Sequence, residues 1–169
     1  LPKKLDNSNI LGSRINVLDG KIIPVSPKPR TINAFFCHST ADKPKVRDLY
    51  KRLLSDNIDI WFDEEKLLPG QDWDLEINKA IREADIILVF LSKNSVSKEG
   101  YIQKEIKRAL AVAEEKPEGI IFIIPVRLDN CEIPQQFQRW HWINVSDNNS
   151  YERLLSALRV RAASLDNDT

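Results

Sequence analysis

Tyr101 and Glu105 stand four residues apart in GYIQKEIKRAL, a stretch whose apolar residues Ile102, Ile106, Ala109, Leu110 and Ala113 recur at helical spacing. Residues one turn apart on a helix lie above one another, so both side chains can meet at one ligand. At about 100° per residue the pair falls on the edge of the apolar stripe and not at its centre. A carboxylate at the rim of a cleft beside an aromatic ring is placed to hold a sugar and stack a base. The competing reading from position alone is a solvated face on which Glu105 pairs with Arg108 or Lys104 and Tyr101 is half-buried packing, because most helix carboxylates carry no chemistry.

Three further loops concentrate polar side chains. His38-Ser39-Thr40-Ala41-Asp42 follows the apolar run INAFFC and leads into a helix, whose free N–H groups can receive a phosphate. Asp63-Glu64-Glu65-Lys66-Leu67-Leu68-Pro69-Gly70-Gln71-Asp72-Trp73 is long and charged and contains a Pro-Gly turn. Ser92-Lys93-Asn94-Ser95-Val96-Ser97 feeds the helix that holds Tyr101 and Glu105. Asp63 closes a strand and is expected to anchor its loop by a local hydrogen bond. Trp61, Phe62, Trp140 and Trp142 alternate with apolar neighbours and read as packing. His141 is a lone histidine, and Cys37 and Cys131 sit in no CxxC pair or His-rich cluster, so no metal site is expected and both thiols read as reduced.

The elements that position these loops alternate short apolar runs with longer segments of helical period, the pattern of consecutive β-α units in a parallel sheet. Strands are expected at 32–37, 58–62, 86–91, 120–126 and 142–145. IILVFL and IIFIIPV are apolar on both faces, as for central strands covered on both sides. Helices are expected through Val46–Leu54, Leu75–Ala84, about 100–115 and Tyr151–Leu158, with Asp72 and Ser150 as caps. The stretch from Leu128 to Arg139, with Pro134, reads as a loop or short irregular helix. In such sheets ligands bind outside the carboxyl ends of the strands, where the strand order reverses, which is where the polar loops fall.

The 169 residues suffice for one full core, since a domain of this size hides roughly 70% of its unfolded surface. Residues 1–30, broken by Pro2, Pro24, Pro27 and Pro29, read as an arm in which Asp19-Gly20 could close a small hairpin. The domain is expected over 31–164, with a tail at 165–169. Twenty-five basic residues cancel 25 acidic ones, which gives no sign of a nucleic-acid or membrane surface. With no apolar run long enough to span a bilayer and no signal-peptide pattern, the chain is expected to be cytoplasmic. The lack of any methionine suggests a piece of a longer protein.

Taken in order, AFFCHSTADK, IWFDEEKLLPGQDW, AIREADIILVFLSKNSVSKEGY and YIQKEIKRAL resemble the TIR (Toll/interleukin-1 receptor) domain family, specifically its bacterial-type and NAD-cleaving members, over about residues 31–161. The resemblance implies an α/β, flavodoxin-like three-layer sandwich with a central five-stranded parallel sheet. It further implies an NAD+ nucleosidase that cleaves the nicotinamide–ribose bond, giving ADP-ribose or a cyclic isomer, in signalling or anti-phage defence. NAD+ would be the substrate, with no further cofactor. The family pattern W-x-x-x-E-[IL] falls on Tyr101 and Glu105-Ile106, so Glu105 inherits the catalytic role. His38, Ser39, Thr40, Asp63, Lys66, Trp73, Ser92 and Tyr101 are the expected substrate-binding residues. The so-called BB loop, with Glu64, Glu65, Leu67, Leu68, Pro69 and Gly70, is the expected interface with other TIR domains in an activated homo-oligomer.

Two departures matter. Tyr101 replaces the usual Trp that helps fold adenine over the ribose, which leaves hydrolysis and cyclisation both open. The first loop also lacks the arginine of some animal members, leaving phosphate contacts to backbone N–H groups, Ser39, Thr40 or Lys66. A non-catalytic TIR scaffold is the alternative. A phospho-acceptor receiver domain of the same topology is set aside, because the loop after IILVFL offers Ser92 and no Asp.

Overall fold

The computed structural model describes residues 15–18, 21–24, 31–62, 66–97 and 101–167, with backbone alone for 15–18, 21–24 and 101. In the arm, β1 (Ile15–Leu18) and β2 (Lys21–Pro24) pair antiparallel with Leu18 opposite Lys21. The remaining strands are β3 (Asn33–Cys37), β4 (Asp59–Trp61), β5 (Ile86–Leu91), β6 (Ile123–Arg127) and β7 (Ile143–Asn144). They form one parallel sheet in the order β4-β3-β5-β6-β7. The helices are α1 (Lys43–Ser55), α2 (Trp73–Glu83), α3 (Lys93–Val96), α4 (Tyr101–Glu114) and α5 (Ser150–Asn167).

All six residues of β5 are buried, because this strand is central and covered on both faces. With a side-chain period of two, Ile86, Leu88 and Phe90 join Phe36, Val46 and Leu53 with Leu154 and Leu158 of α5 in one core. Ile87, Val89 and Leu91 join Phe35 with Ile77 and Ile81 of α2 and Ile102, Ile106 and Ala109 of α4 in the other. The three layers are therefore α1 and α5, the sheet, and α2 and α4.

Local details differ from the sequence expectation. Asp72 caps α2 as expected, accepting from the Leu75 N–H at 3.0 Å. Ser150 does not cap α5: it lies inside the helix, and its hydroxyl donates to the Val145 carbonyl at 3.3 Å. α5 runs to Asn167, past the expected domain end at 164, because Leu165 still packs against the core. The buried Arg161 also ties this helix to the amino end of the sheet through Asp85 O at 3.0 Å, while Asp85 Oδ2 accepts from the Asn33 N–H at 2.9 Å. Between Leu128 and Arg139 the only helical piece among the described residues is a 3-10 turn, Gln135–Phe137.

Candidate functional site

From β3 the chain moves through α1 to β4 on one side and then through α2 to β5 on the other, so the strand order reverses between β3 and β5. The crevice outside their carboxyl ends is where this architecture receives ligands. The loops that reach it are residues 38–42 and 92–97, and Asp42 joins them. It occupies the N-cap position of α1 yet makes no capping bond. Its Oδ2 instead accepts from Ser39 Oγ and Ser92 Oγ, each at 2.5 Å. Ser92 is fixed in turn by a reciprocal capping box: Ser95 N–H donates to Ser92 Oγ at 3.1 Å, and Ser92 N–H donates to Ser95 Oγ at 2.8 Å. His38 Nδ1 lies 2.9 Å from Ser39 O, which can only accept, so Nδ1 carries the proton; its ring packs 5.0 Å from that of Phe62.

α4 brings Glu105 to the same side of the sheet as α2. Its residue is 2% exposed, more deeply placed than the stripe-edge position expected from helical spacing. The solvated face belongs to its neighbours. Lys104 Nζ reaches Asp74 Oδ2 at 3.0 Å, and the Arg108 guanidinium forks onto the same carboxylate at 2.7 and 3.3 Å. The Arg108 hydrogen bond, reinforced by Lys104, holds the Asp74 carboxyl down at about 2. This clamp fastens the start of α2, and with it the end of the long loop, to the helix that carries Glu105.

The other expected residues scatter. Thr40 is exposed beside Ser39. Lys66 turns away to Asp59 on the edge strand at 3.2 Å. Leu68 N–H donates to Gln71 Oε1 at 2.7 Å, and Gly70 takes φ +89°, the left-handed turn that glycine tolerates. Leu67 is half-buried, Pro69 and Gly70 are exposed, and Leu68, Trp73 and Leu75 stand out as exposed apolar side chains. Asp63, Glu64 and Glu65 and the side chain of Tyr101 lie outside what is described. Among the described residues no group of three or more His, Cys, Asp or Glu could hold a metal, and no helix is long and apolar enough to cross a membrane.

A cavity of about 270 Å³ opens between α1 and α5, and two of about 450 and 400 Å³ flank Trp140; neither Glu105 nor Ser39 lines any of the three. Topology and the converging side chains of Ser39, Asp42 and Ser92 mark the crevice, and Glu105 is buried near the start of α4. Sequence reasoning passed over Asp42 as one letter of a polar loop. The spacing Ser39-x-x-Asp42 directly before Lys43-Pro44 was the available signal, since it places an acid at a helix start.

A family model for the TIR domain matches residues 34–158. The NAD(+) hydrolase TcpA of Theionarchaea archaeon (strain DG-70-1) is 30% identical over 133 residues, covering 78% of this chain and 35% of that protein, so the chain spans about a third of its relative's length. Among solved structures, the TIR domain of the Toll-related receptor TRR-2 from Hydra magnipapillata superposes with a TM-score of 0.64 at 19% identity, covering 75% of this chain and 97% of that one. A metazoan TIR-STING receptor from C. gigas, solved with 2',3'-cGAMP, gives 0.62 at 20% identity, covering 81% and 42%. Both structures share the fold.

Proposed function

The chain belongs to the TIR-domain family, and from that premise we propose that it cleaves the nicotinamide–ribose bond of NAD+ with Glu105 as the catalytic carboxylate. The observation that carries this reading is the burial of Glu105 at 2% exposure near the start of α4, the long helix between β5 and β6. A carboxylate removed from water costs free energy, which makes a buried one a candidate for either a structural network or chemistry, and the family resemblance favours chemistry for Glu105. Similarity to a protein named as an NAD(+) hydrolase supports the same reading.

The chemistry asks little of the protein. The C1′–N bond joins ribose to a positively charged ring, so its electron pair leaves with neutral nicotinamide and no general acid is needed. What must be stabilised is the oxocarbenium-like ribose. Glu105 offers negative charge to that cation and accepts the ribose hydroxyls. Water then adds at C1′ to give ADP-ribose, or a nucleophile of the adenine ring adds to give a cyclic isomer.

A sealed carboxylate cannot receive substrate until the crevice opens, and self-association is the proposed trigger. Leu68, Trp73 and Leu75 expose apolar side chains on the loop and the start of α2, a surface offered here to a neighbouring copy. Asp74, between Trp73 and Leu75, ties the start of α2 to α4. The proposed setting is the cytoplasm, in signalling or anti-phage defence. A purely scaffolding domain could use the same patch but has no need of Glu105. Incubating the protein with NAD+, dilute and then clustered on beads, and following nicotinamide release tests the reading. Turnover that rises on clustering is expected, and its absence in both states would overturn it.

A further inference from the structure

We propose that Asp42 is a positioning residue of the cleft, a latch whose carboxylate fixes the loops after β3 and β5 against each other and sets the polarity of Ser39. Three observations carry this. Asp42 is 1% exposed, at the point where the strand order reverses. It holds the N-cap position of α1 but forgoes the capping bond that an aspartate there ordinarily makes. It accepts instead from two hydroxyls fifty-three residues apart in sequence, Ser39 and Ser92, both at the short end of the O–H···O range, as charge-assisted bonds are. Its second oxygen, Oδ1, is sealed from solvent and has no hydrogen-bond partner among the described residues. A group chosen only to stabilise the helix would make the cap and leave no bare acceptor.

The latch has a chemical consequence for the ligand, and this part rests on the NAD+ reading. Ser39 has one hydroxyl proton, and Asp42 takes it, so Ser39 Oγ is left with lone pairs alone. What it can receive is an O–H or N–H donor, such as a ribose hydroxyl or a carboxamide. A phosphate is anionic and only accepts, so the Ser39 hydroxyl beside a buried carboxylate is the wrong partner for it. Phosphate contacts then fall to the exposed Thr40 and to backbone N–H groups of the loop.

Amide hydrogen exchange and steady-state kinetics on Asp42→Ala, Asp42→Asn and wild type test the proposal. In Asp42→Ala, amides of both loops, 38–42 and 92–97, should exchange at least about tenfold faster while β5 keeps its protection, the worth of a lost charge-assisted bond. Asp42→Asn, which keeps one neutral acceptor, should fall between. KM for NAD+ should rise about tenfold in Asp42→Ala, with kcat within about threefold. A lower melting temperature with unchanged exchange in the two loops would overturn the latch, as would loosening of 38–42 alone. A loosened pair of loops with unchanged KM would overturn the Ser39 assignment. If the alanine variant does not fold, the asparagine variant decides by the same criteria. If wild type releases no nicotinamide, the NAD+ reading fails separately, and exchange still decides the latch.

Discussion

Phe62 directly precedes the long loop in sequence, and its removal should loosen the roots of two loops at once. Its ring is fully buried and stacks on Tyr50 at 4.9 Å, meets Phe36 edge-on at 6.0 Å and packs against His38 at 5.0 Å. Lys43 and Arg47 place their charges 5.8 and 5.5 Å from its centroid. Truncating a buried phenylalanine to alanine costs about 3–5 kcal/mol, and these ring-specific contacts put Phe62→Ala at the upper end of that range. Phe62→Leu keeps most of the volume but loses the ring faces, and should cost about 1.5–2 kcal/mol. For a domain of this size about 4–5 kcal/mol corresponds to a fall in Tm of roughly 8–20 °C. Urea unfolding followed by tryptophan fluorescence measures both, since Trp61 is the adjacent residue. Equal losses in the two variants, or a loss below about 2 kcal/mol in Phe62→Ala, would refute this account of the ring cluster.

Other expectations concern the elements around the crevice. Asp72→Ala removes the cap of α2 and should cost about 1 kcal/mol, with faster exchange confined to the first turn of that helix. The Asp74 carboxyl is held below its unfolded value, so its contribution is complete above the ordinary carboxylate range and lost as pH falls towards about 2. Carboxyl NMR should show that low midpoint, and Arg108→Gln should raise it. Tyr151 behaves oppositely: burial, together with the hydrogen bond it donates to Asp56, pushes its phenol up to about 12. Its contribution is complete below the ordinary tyrosine range and lost as pH rises through about 12. Ultraviolet titration should show the shift, reduced in Asp56→Asn.

The sheet was readable because its signal is local. IILVFL is apolar at every position, and that alone marks a strand buried on both faces. The short edges were harder. β7 is two residues where four were expected, because pairing with β6 ends at Arg127 and Asn144. α3 went unanticipated: one turn has no period to detect, and it exists because Ser92 and Ser95 cap each other. Helical phase put Glu105 on the rim of its stripe, whereas its depth depends on how α4 lies against α2 and the sheet. For Asp42, spacing marks an acid at a helix start but not its second partner. Its two partners sit three and fifty residues away, and only the strand order brings Ser92 to it.

The most direct measurement of the central claim is nicotinamide release from NAD+ by clustered wild-type protein and by Glu105→Gln, which keeps the size of the side chain and removes its charge. Loss of the carboxylate should lower kcat by about 10²-fold or more with unchanged clustering. Turnover in Glu105→Gln equal to that of wild type would contradict Glu105 as the catalytic group.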